Sequence, residues 1–199
     1  MPLFLIMLGW RLARWKGILS AILLSLLFGV AAWFASPELS NRIVSSTAEM
    51  QQYRTADKAT PIGEHIAFLK GSWTIIASAP FVGHGTGSIP EQFRRVTAGK
   101  IGASGGPTVN PHNQTFAVAI QLGLMGAITL WAMWVAHLAL FCNSSVVAWL
   151  GLLVVSENVL SSTVHSHLFD FNNGWLYVFG VGVLGGMILR ECGSGVKNA

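Results

Sequence analysis

The sequence predicts an all-α, polytopic membrane protein with about four transmembrane helices and one large helical loop. Of its 199 residues, 52% are hydrophobic and only 10% are charged, whereas an average soluble domain carries about 25% charged residues. Long apolar runs occur at residues 17–35, 114–141, 146–164 and 175–189. Because about 20 helical residues cross a bilayer core, the first three runs are long enough and the fourth is marginal.

The first predicted element is the apolar run 17–35, which follows Arg11, Arg14 and Lys16. Its apolar core is too long for a secretory signal peptide, and Trp33 stands where a cleavage site needs a small residue, so we interpret it as a membrane anchor. The apolar segment before the basic residues is too short to cross a bilayer. We therefore expect it to be the end of another helix, with further amino-terminal helices of the same protein missing.

The basic residues near the helix ends predict the orientation of the chain. Lysine and arginine concentrate on the cytoplasmic side of membrane proteins, and here they precede the first run and follow the last, at Arg190 and Lys197. Four spans then place both termini in the cytoplasm and the segments 36–111 and 165–174 on the outer face. The expected divisions are 1–35, 36–111 and 112–199.

The loop 36–111 contains a helical pattern followed by a glycine-rich turn. Apolar residues recur at three- and four-residue steps, which predicts an amphipathic helix over 64–79 that could lie on the membrane surface and ends at Pro80; these residues are Ile66, Leu69, Trp73 and Ile76. The turn GHGTGS follows at 83–88. Its closely spaced glycines either let backbone N–H groups converge on an anion or form a plain turn.

A histidine and an asparagine precede the second long run. Asn110 is a good N-cap and Pro111 suits the first helical position, so we expect His112 and Asn113 in the first turn of the second membrane helix. A helix N-terminus carries about half a positive charge, which attracts phosphate and disfavours imidazolium. A neutral histidine beside a bound phosphate is a candidate general base. The alternative is an interfacial histidine at a helix end.

Two further groups of polar residues fall in or between the later runs. Glu157 and Asn158 lie inside the third run, where a charge costs at least about 2.5 kcal/mol. We expect a protonated glutamate hydrogen-bonded to another helix, with a proton relay as the alternative. His165, His167 and Asp170 lie together in the 165–174 turn, and three candidate ligands are too few to predict a zinc site. A hydrogen-bonded turn is the favoured interpretation.

The charge distribution and the cysteines exclude a nucleic-acid partner, a disulfide framework and a zinc site. The net charge is +4, but the basic residues are dispersed and no basic run is interleaved with aromatic residues, so we exclude nucleic acid as a partner. Cys142 and Cys192 are isolated, and they predict neither a disulfide framework nor a zinc site. Membrane lipid is therefore the partner that composition predicts.

The motifs of the central region together resemble one family. His112-Asn113, nine residues and then Gly123-Leu124-Met125-Gly126 are similar to the HN-x9-GxxG signature of the bacterial O-antigen ligase and O-antigen polymerase superfamily. GSWTIIASAPFVGHGTGS at 71–88 resembles the helix, proline and glycine-rich turn that precede this histidine in the family. HSHLFDFNNGWLYVFGVG at 165–182 resembles the segment after it. The resemblance runs from about residue 36 to 189.

The resemblance implies an integral inner-membrane glycosyltransferase acting at the periplasmic face without a metal or other cofactor. Such enzymes transfer a glycan from an undecaprenyl-diphosphate carrier to a hydroxyl of lipid A-core or of a growing polysaccharide, and inversion of configuration is expected. His112 would be the catalytic residue that deprotonates or positions the acceptor hydroxyl. The leaving diphosphate needs positive charge, which arginines supply in the family.

The expected substrate-binding residues depart from the family at one position. The family's loop arginine is replaced by His65 in Gly63-Glu64-His65, and a neutral imidazole lacks the fixed charge and the bidentate fork of arginine. Arg94 and Arg95 follow the glycine-rich turn and are the expected substitutes. The remaining expected substrate-binding residues lie in the signature, the glycine-rich turn and the 165–174 turn: Asn113, His84, His167 and Asp170.

Two alternatives to a transferase remain at this point. A transporter or flippase would also place Glu157 and glycine-rich helices in a membrane, although such proteins usually contain pseudo-symmetric repeats and this sequence has no internal repeat. The other alternative is an inactive fragment of the ligase, in keeping with the expected missing amino-terminal helices.

Overall fold

A computed structural model describes residues 2–142 and 145–196, and over these residues the chain is helical with no strand. The helical fraction is 81%, which confirms the all-α prediction. The α-helices are α1 Pro2–Ala35, α2 Pro37–Ala56, α3 Pro61–Ser78, α4 Ile89–Thr97, α5 Gln114–Leu140, α6 Val146–Ser161 and α7 Phe171–Val196. Lys197, which entered the orientation argument, lies outside the described residues.

Three of these helices are long and apolar enough to cross a membrane, and a fourth apolar helix is shorter. The three are Leu3–Ala35, Gln114–Leu140 and Phe171–Glu191, and the shorter helix is Val146–Ser161. The sequence had placed the marginal length in the last run rather than in the third. The third helix ends at Ser161, where the following N–H groups of Thr163 and Val164 donate to the Leu160 and Ser161 carbonyls, each at 3.1 Å. This three-residue spacing is that of a tightened last turn. The last helix is longer because it begins at Phe171, before the apolar run.

The chain divides into two compact units, Met1–Thr55 and Ala56–Ala199. In the first unit, α1 is interrupted at Ala13 and Arg14, where Arg14 has φ 50° and ψ −129°. A Cβ atom on Gly9 would collide with the carbonyl group of Gly17, although a straight helix would separate these residues by about 12 Å. The chain therefore folds back, and the apolar segment before the basic residues is a separate helical segment, as the sequence predicts.

Helix α2 was not predicted, because its polar sequence contains no apolar stripe. Glu38 lies in its first turn and Arg54 in its last, and both charges are placed favourably for the helix dipole. Its existence shortens the irregular part of the expected loop 36–111.

In the second unit, α3 confirms the helix predicted over 64–79. Thr60 caps it by accepting the Gly63 N–H at 3.1 Å, and a proline occupies its first position. Its buried residues include Ala67 and Ile75, whereas Trp73 of the predicted apolar stripe is 66% exposed. The predicted stripe is therefore partly buried: Ile66, Leu69 and Ile76 are half-buried and Trp73 faces outward, while the fully buried residues lie on a neighbouring face.

Helix α5 is not straight, because Gly123 has φ 62° and ψ −156°. Two contacts with α6 show the size of the bend. The Gln114 N–H donates to the Ser162 carbonyl at 2.9 Å, and a Cβ on Gly151 would meet the Phe141 ring. These contacts are about 17 Å apart along α6 but about 40 Å apart along a straight α5. The helix therefore consists of two segments, 114–122 and 124–140, that meet at an angle.

Two hydrophobic clusters hold the second unit together. One lies among α5, α6 and α7, and the other joins α3 and α4 to the first segment of α5. The buried members of the first are Leu130, Trp134, Phe141, Ala148, Val155, Tyr177, Val181 and Ile188. The buried members of the second are Ile75, Ile89, Phe93, Ala117 and Ile120.

The polar residue predicted inside the third run lies at a helix surface. Glu157 is exposed on α6, whereas Asn158 is buried. In the part of the chain that the structure describes, the expected hydrogen bond from Glu157 to another helix is not formed. Cys142 is a free, exposed cysteine, and the side chain of Cys192 lies outside the description.

Candidate functional site

Helix α5 begins three residues later than the sequence predicts. Its N-cap is Asn113, whose Oδ1 accepts the Phe116 N–H at 3.0 Å. His112 has φ 54° and therefore lies outside the helix. The Asn110 side chain instead forms a tight turn by accepting the His112 N–H at 2.8 Å. The prediction that Asn110 caps the helix is wrong because a second asparagine, held by tertiary contacts, takes that role.

The start of α5 is tied to the end of α6 and to the residues that follow it. The connection matters because it brings the 165–174 turn against His112. Four hydrogen bonds make it: Ser166 Oγ to Asn110 Oδ1 at 2.8 Å, Asn113 Nδ2 to the Thr163 carbonyl at 2.9 Å, the Gln114 N–H to the Ser162 carbonyl at 2.9 Å, and the Leu168 N–H to Gln114 Oε1 at 2.9 Å.

His112 lies in a row of imidazoles that we name the histidine cluster: His65, His112, His165 and His167. The ring centroids of His65 and His112 are 5.8 Å apart, those of His112 and His165 are 5.6 Å apart, and those of His165 and His167 are 5.4 Å apart. Phe68 stacks on His112 at 6.1 Å with an interplanar angle of 22°. Within the described residues, no three or more His, Cys, Asp or Glu side chains are arranged to hold a metal ion.

The surroundings of His112 favour its neutral form. Burial lowers the pKa of His112 from its ordinary 6.5, and the neighbouring His165 and His65 lower the pKa further because a second positive charge nearby is repelled. A neutral imidazole has one nitrogen free to accept a proton. Its positive φ is uncommon for a residue other than glycine, and such backbone often occurs at functional sites.

The structure adds two residues to the predicted site. His165 contacts His112 directly, whereas the predicted His167 contacts His165. The HSH sequence of the 165–174 turn was the available signal, but nothing in it distinguishes which histidine faces His112. Phe68 is the second addition, and its helical position gave no sign of the histidine that folds onto it.

Three of the predicted substrate-binding side chains are engaged in holding the fold. The Asn113 amide oxygen accepts the Phe116 N–H, and its amide nitrogen donates to the Thr163 carbonyl. His84 Nε2 lies 3.0 Å from the Ile75 carbonyl oxygen and 3.1 Å from Ser78 Oγ. The Asp170 carboxylate accepts backbone N–H groups at the start of α7, from Asn172 at 2.9 Å and from Asn173 at 3.4 Å.

The two predicted arginines lie on the exposed face of α4. Both bind Glu91, Arg94 at 2.7 Å and Arg95 at 2.9 Å, and their side chains are 68% and 66% exposed. The opposite face of α4 buries Ile89 and Phe93. Exposed ion pairs of this kind contribute only about 0–1 kcal/mol, so a stronger anion could exchange with Glu91 at little cost.

The glycine-rich turn docks into the interruption of α5. In a continuous helix the N–H groups of Leu124 and Met125 would bond to the carbonyls of Ile120 and Gln121. Here those four groups bond to residues 80–85 instead. The bonds are Leu124 N to Pro80 O at 2.7 Å, Met125 N to Phe81 O at 3.4 Å, His84 N to Ile120 O at 2.9 Å and Gly85 N to Gln121 O at 2.9 Å.

This docking engages the amides that the sequence had offered for an anion. The Gly87 N–H also donates to Gln121 Oε1, at 2.6 Å. The N–H groups of His84, Gly85 and Gly87 are therefore directed at α5. The turn at 83–88 acts as a structural clamp, and the anion-binding interpretation is wrong for these three amides.

The two signature glycines both lie at the bend of α5. A Cβ on Gly123 would overlap the backbone of Phe81 and Val82, and its φ of 62° favours glycine. A Cβ on Gly126 would overlap the side chains of Leu122 and Val118, which belong to the other segment of α5. The signature thus combines a histidine that is free of the helix with two glycines that allow the helix to bend and the turn to dock.

These features define a multi-pass α-helical membrane protein with a histidine-centred site at the start of a bent helix. The family model described as O-antigen ligase matches residues 1–131, and the chain belongs to that family. The match includes His65, His112 and both signature glycines, and it ends within α5, before His165. A search of curated proteins found no match to this chain. Family membership supports a role in glycan transfer at a membrane.

Proposed function

We propose that this chain transfers a glycan from an undecaprenyl-diphosphate carrier to a hydroxyl of lipid A-core or of a growing polysaccharide, at the periplasmic face of the bacterial inner membrane. One observation carries the proposal. His112, the histidine of the family signature, is held outside the helix in the histidine cluster, where burial and neighbouring imidazoles lower its pKa. A base of this kind stays neutral at the pH at which it must accept a proton.

In the proposed step, His112 takes the proton of the acceptor hydroxyl as that oxygen bonds to the anomeric carbon of the donor sugar. The bond between the anomeric carbon and the diphosphate oxygen breaks, and undecaprenyl diphosphate leaves with its electron pair. Attack from the face opposite the leaving group inverts the configuration. The proton ends on the imidazole, and the step requires no metal ion.

The leaving diphosphate gains negative charge as the bond breaks, and cationic groups near His112 would stabilise it. His65, at 5.8 Å from His112, is the candidate at the family's arginine position. Its imidazole can donate hydrogen bonds to diphosphate oxygens. Arg94 and Arg95 are exposed, and each pairs with Glu91, so they are candidates for a second contact with the donor or its glycan.

The orientation in this proposal follows from the charged turn of α1. Arg11, Arg14 and Lys16 surround the point where α1 folds back, and the positive-inside tendency assigns that turn to the cytoplasm. A crossing from this turn to Ala35 would bring the following loop, and with it the histidine cluster, to the periplasmic face. This is the side on which the proposed donor and acceptor meet.

The test replaces His112 by asparagine. Asparagine tolerates positive φ better than most residues, so His112→Asn removes the imidazole without adding the backbone strain that alanine would add. We expect transfer from an undecaprenyl-diphosphate glycan to fall by about 10² to 10⁴, the usual contribution of a general base.

The amount of His112→Asn protein in the membrane and its thermal unfolding in detergent are the controls for folding, and both should match the wild type. Wild-type transfer by a correctly folded His112→Asn variant would remove this residue from the mechanism.

A further inference from the structure

A small cavity lies between α3, α4 and the short 3-10 helix Gly102–Gly105, outside the histidine cluster. Its volume is about 170 Å³, close to that of six water molecules in the liquid, which suits one sugar ring. Its lining consists of Ala67, Phe68, Lys70, Gly71, Thr74, Phe93, Val96, Thr97, Lys100, Ala103, Ser104 and Gly106.

The cavity shares a wall with the site around His112. Phe68 lines the cavity and also stacks on His112 at 6.1 Å. Phe93, which also lines the cavity, meets Phe68 edge to face at 6.0 Å. A group in the cavity would therefore lie one aromatic ring away from the proposed general base.

The lining of the cavity includes two exposed lysines and three hydroxyl-bearing residues. Lys70 and Lys100 supply the positive charge, and no acidic side chain lines the cavity. Each hydroxyl donates its proton to the protein, which leaves its oxygen lone pairs for a ligand's donors. The three bonds are Thr74 Oγ1 to the Lys70 carbonyl at 3.2 Å, Thr97 Oγ1 to the Phe93 carbonyl at 2.7 Å and Ser104 Oγ to Asp57 Oδ1 at 2.9 Å.

The carboxylate of Asp57 is engaged in holding the cavity wall. Asp57 Oδ1 accepts the Ser104 hydroxyl, Asp57 Oδ2 accepts the Ser104 N–H at 3.2 Å, and the Asp57 carbonyl accepts the Ala103 N–H at 2.8 Å. These bonds attach the 3-10 helix to the segment before α3. Asp57 thus fixes Ser104 at the cavity and is not itself part of the lining.

We propose that this cavity binds a carboxylate-bearing sugar residue, so that the glycan handled by this chain is acidic. The two ammonium groups would bind the carboxylate through charge-assisted hydrogen bonds, the hydroxyl oxygens would accept hydrogen bonds from the sugar hydroxyls, and the Phe68 ring would cover an apolar face of the sugar. Inorganic phosphate fits less well, because it offers only one or two P–OH donors to the three hydroxyl oxygens and has no ring to lie against Phe68. The proposal rests on the proposed function and specifies its substrate class.

The first experiment measures binding to the detergent-purified 199-residue chain, with D-glucuronate, D-glucose and inorganic phosphate as probes. Binding of the sugars is followed by saturation-transfer NMR, and phosphate is tested as a competitor. We expect glucuronate to bind, glucose to bind at least about tenfold more weakly, and phosphate to displace glucuronate poorly, since a charge-assisted hydrogen bond is worth at least one factor of ten.

Charge variants test the two lysines. Lys100→Gln and Lys70→Gln should each weaken glucuronate binding by about tenfold and leave the weak glucose binding unchanged. Lys58→Gln is the matched control, because Lys58 is exposed and does not line the cavity. An equal effect of Lys58→Gln would show that only the net charge of the region matters, and it would overturn the proposal.

A steric variant tests the cavity without changing its charge. Gly106 lines the cavity in an extended conformation, with φ −74° and ψ 117°, and an added Cβ would lie at ordinary distances, 3.6 Å from the Ala103 carbonyl oxygen and 4.0 Å from Phe68. Gly106→Leu should therefore fold normally, with an unchanged unfolding temperature, and lose glucuronate binding by filling the space.

The proposal is overturned if glucuronate does not bind, if glucose binds as well as glucuronate, if phosphate displaces glucuronate at equal concentration, or if a folded Gly106→Leu chain still binds it. The readout needs no transfer, so it separates this proposal from the proposed function. His112→Asn should bind glucuronate like the wild type. Glucuronate binding together with full transfer by His112→Asn would refute the mechanism and keep the subsite.

Discussion

The clamp between the glycine-rich turn and α5 can be tested by two alanine substitutions that differ in one respect. Gly83 and Gly87 both have positive φ, 69° and 78°. A Cβ on Gly83 would overlap the backbone of Gln121 and Gly123, whereas a Cβ on Gly87 would have no atom within 4 Å. The pair therefore separates the cost of close approach from the cost of the backbone conformation.

The magnitude follows from these two terms. A left-handed conformation costs a residue other than glycine about 1–2 kcal/mol, and both variants carry this cost. In Gly83→Ala the obstacle is backbone, which cannot rotate away, so the turn must withdraw from α5. Withdrawal breaks several of the four hydrogen bonds at 80–85, each worth about 1 kcal/mol. We therefore expect Gly83→Ala to be about 3 kcal/mol more destabilising than Gly87→Ala.

Hydrogen exchange read by mass spectrometry measures this difference locally. The reporter is the peptide that contains Leu124, whose N–H is bonded to the Pro80 carbonyl at 2.7 Å. Gly83→Ala should increase its exchange rate by about a hundredfold more than Gly87→Ala does, since about 1.4 kcal/mol corresponds to a factor of ten. Equal exchange in the two variants would refute the argument that close backbone approach holds the clamp.

Two further predictions concern the histidine cluster. Because the pKa of His112 is lowered on folding, the unfolded chain binds that proton more readily, and stability should be lost as the pH falls from about 6.5 through the folded-state pKa. The unfolding temperature of the wild type should therefore drop more than that of His112→Asn between about pH 7.5 and 5, and parallel profiles would contradict this. His65→Arg should raise transfer at neutral pH, because arginine stays charged and can hold two phosphate oxygens. His65→Gln is its uncharged control, and equal rates for both variants across pH would show that charge at this position is unimportant.

The fold class and the approximate helices could be predicted because they depend on composition and local periodicity. The helix over 64–79 was visible in its apolar spacing, and its true start at Pro61 follows from the Thr60 cap. Long-range contacts decide the features that were missed. Local sequence favoured Asn110 as the cap of α5, and a long-range contact, the bond from Asn113 to the Thr163 carbonyl, shows why Asn113 is used instead.

The interruption of α5 could not be predicted from the apolar run, because a glycine in such a run is usually tolerated inside a helix. Its cause lies about forty residues earlier, in the turn that supplies replacement hydrogen bonds. Long-range contacts likewise determined which predicted site residues come together. His65 and His112 were identified by their motifs, but the contact from His165 depends on how α6 returns to the start of α5. Side chains chosen for their chemistry alone, such as His84 and Asp170, proved to be hydrogen-bonded within the fold.

The spacing of the family signature now has a geometric explanation. The nine residues between Asn113 and Gly123 form the first segment of α5, which runs from the cap beside His112 to the clamp with the glycine-rich turn. A helix rotates by about 100° and advances by about 1.5 Å per residue. One residue more or fewer would therefore turn the cap, and with it His112, away from α3 and from the 165–174 turn while the clamp stayed in place. Because His65 and Phe68 lie on α3 and His165 on that turn, the fixed spacing is what allows one imidazole to meet all three.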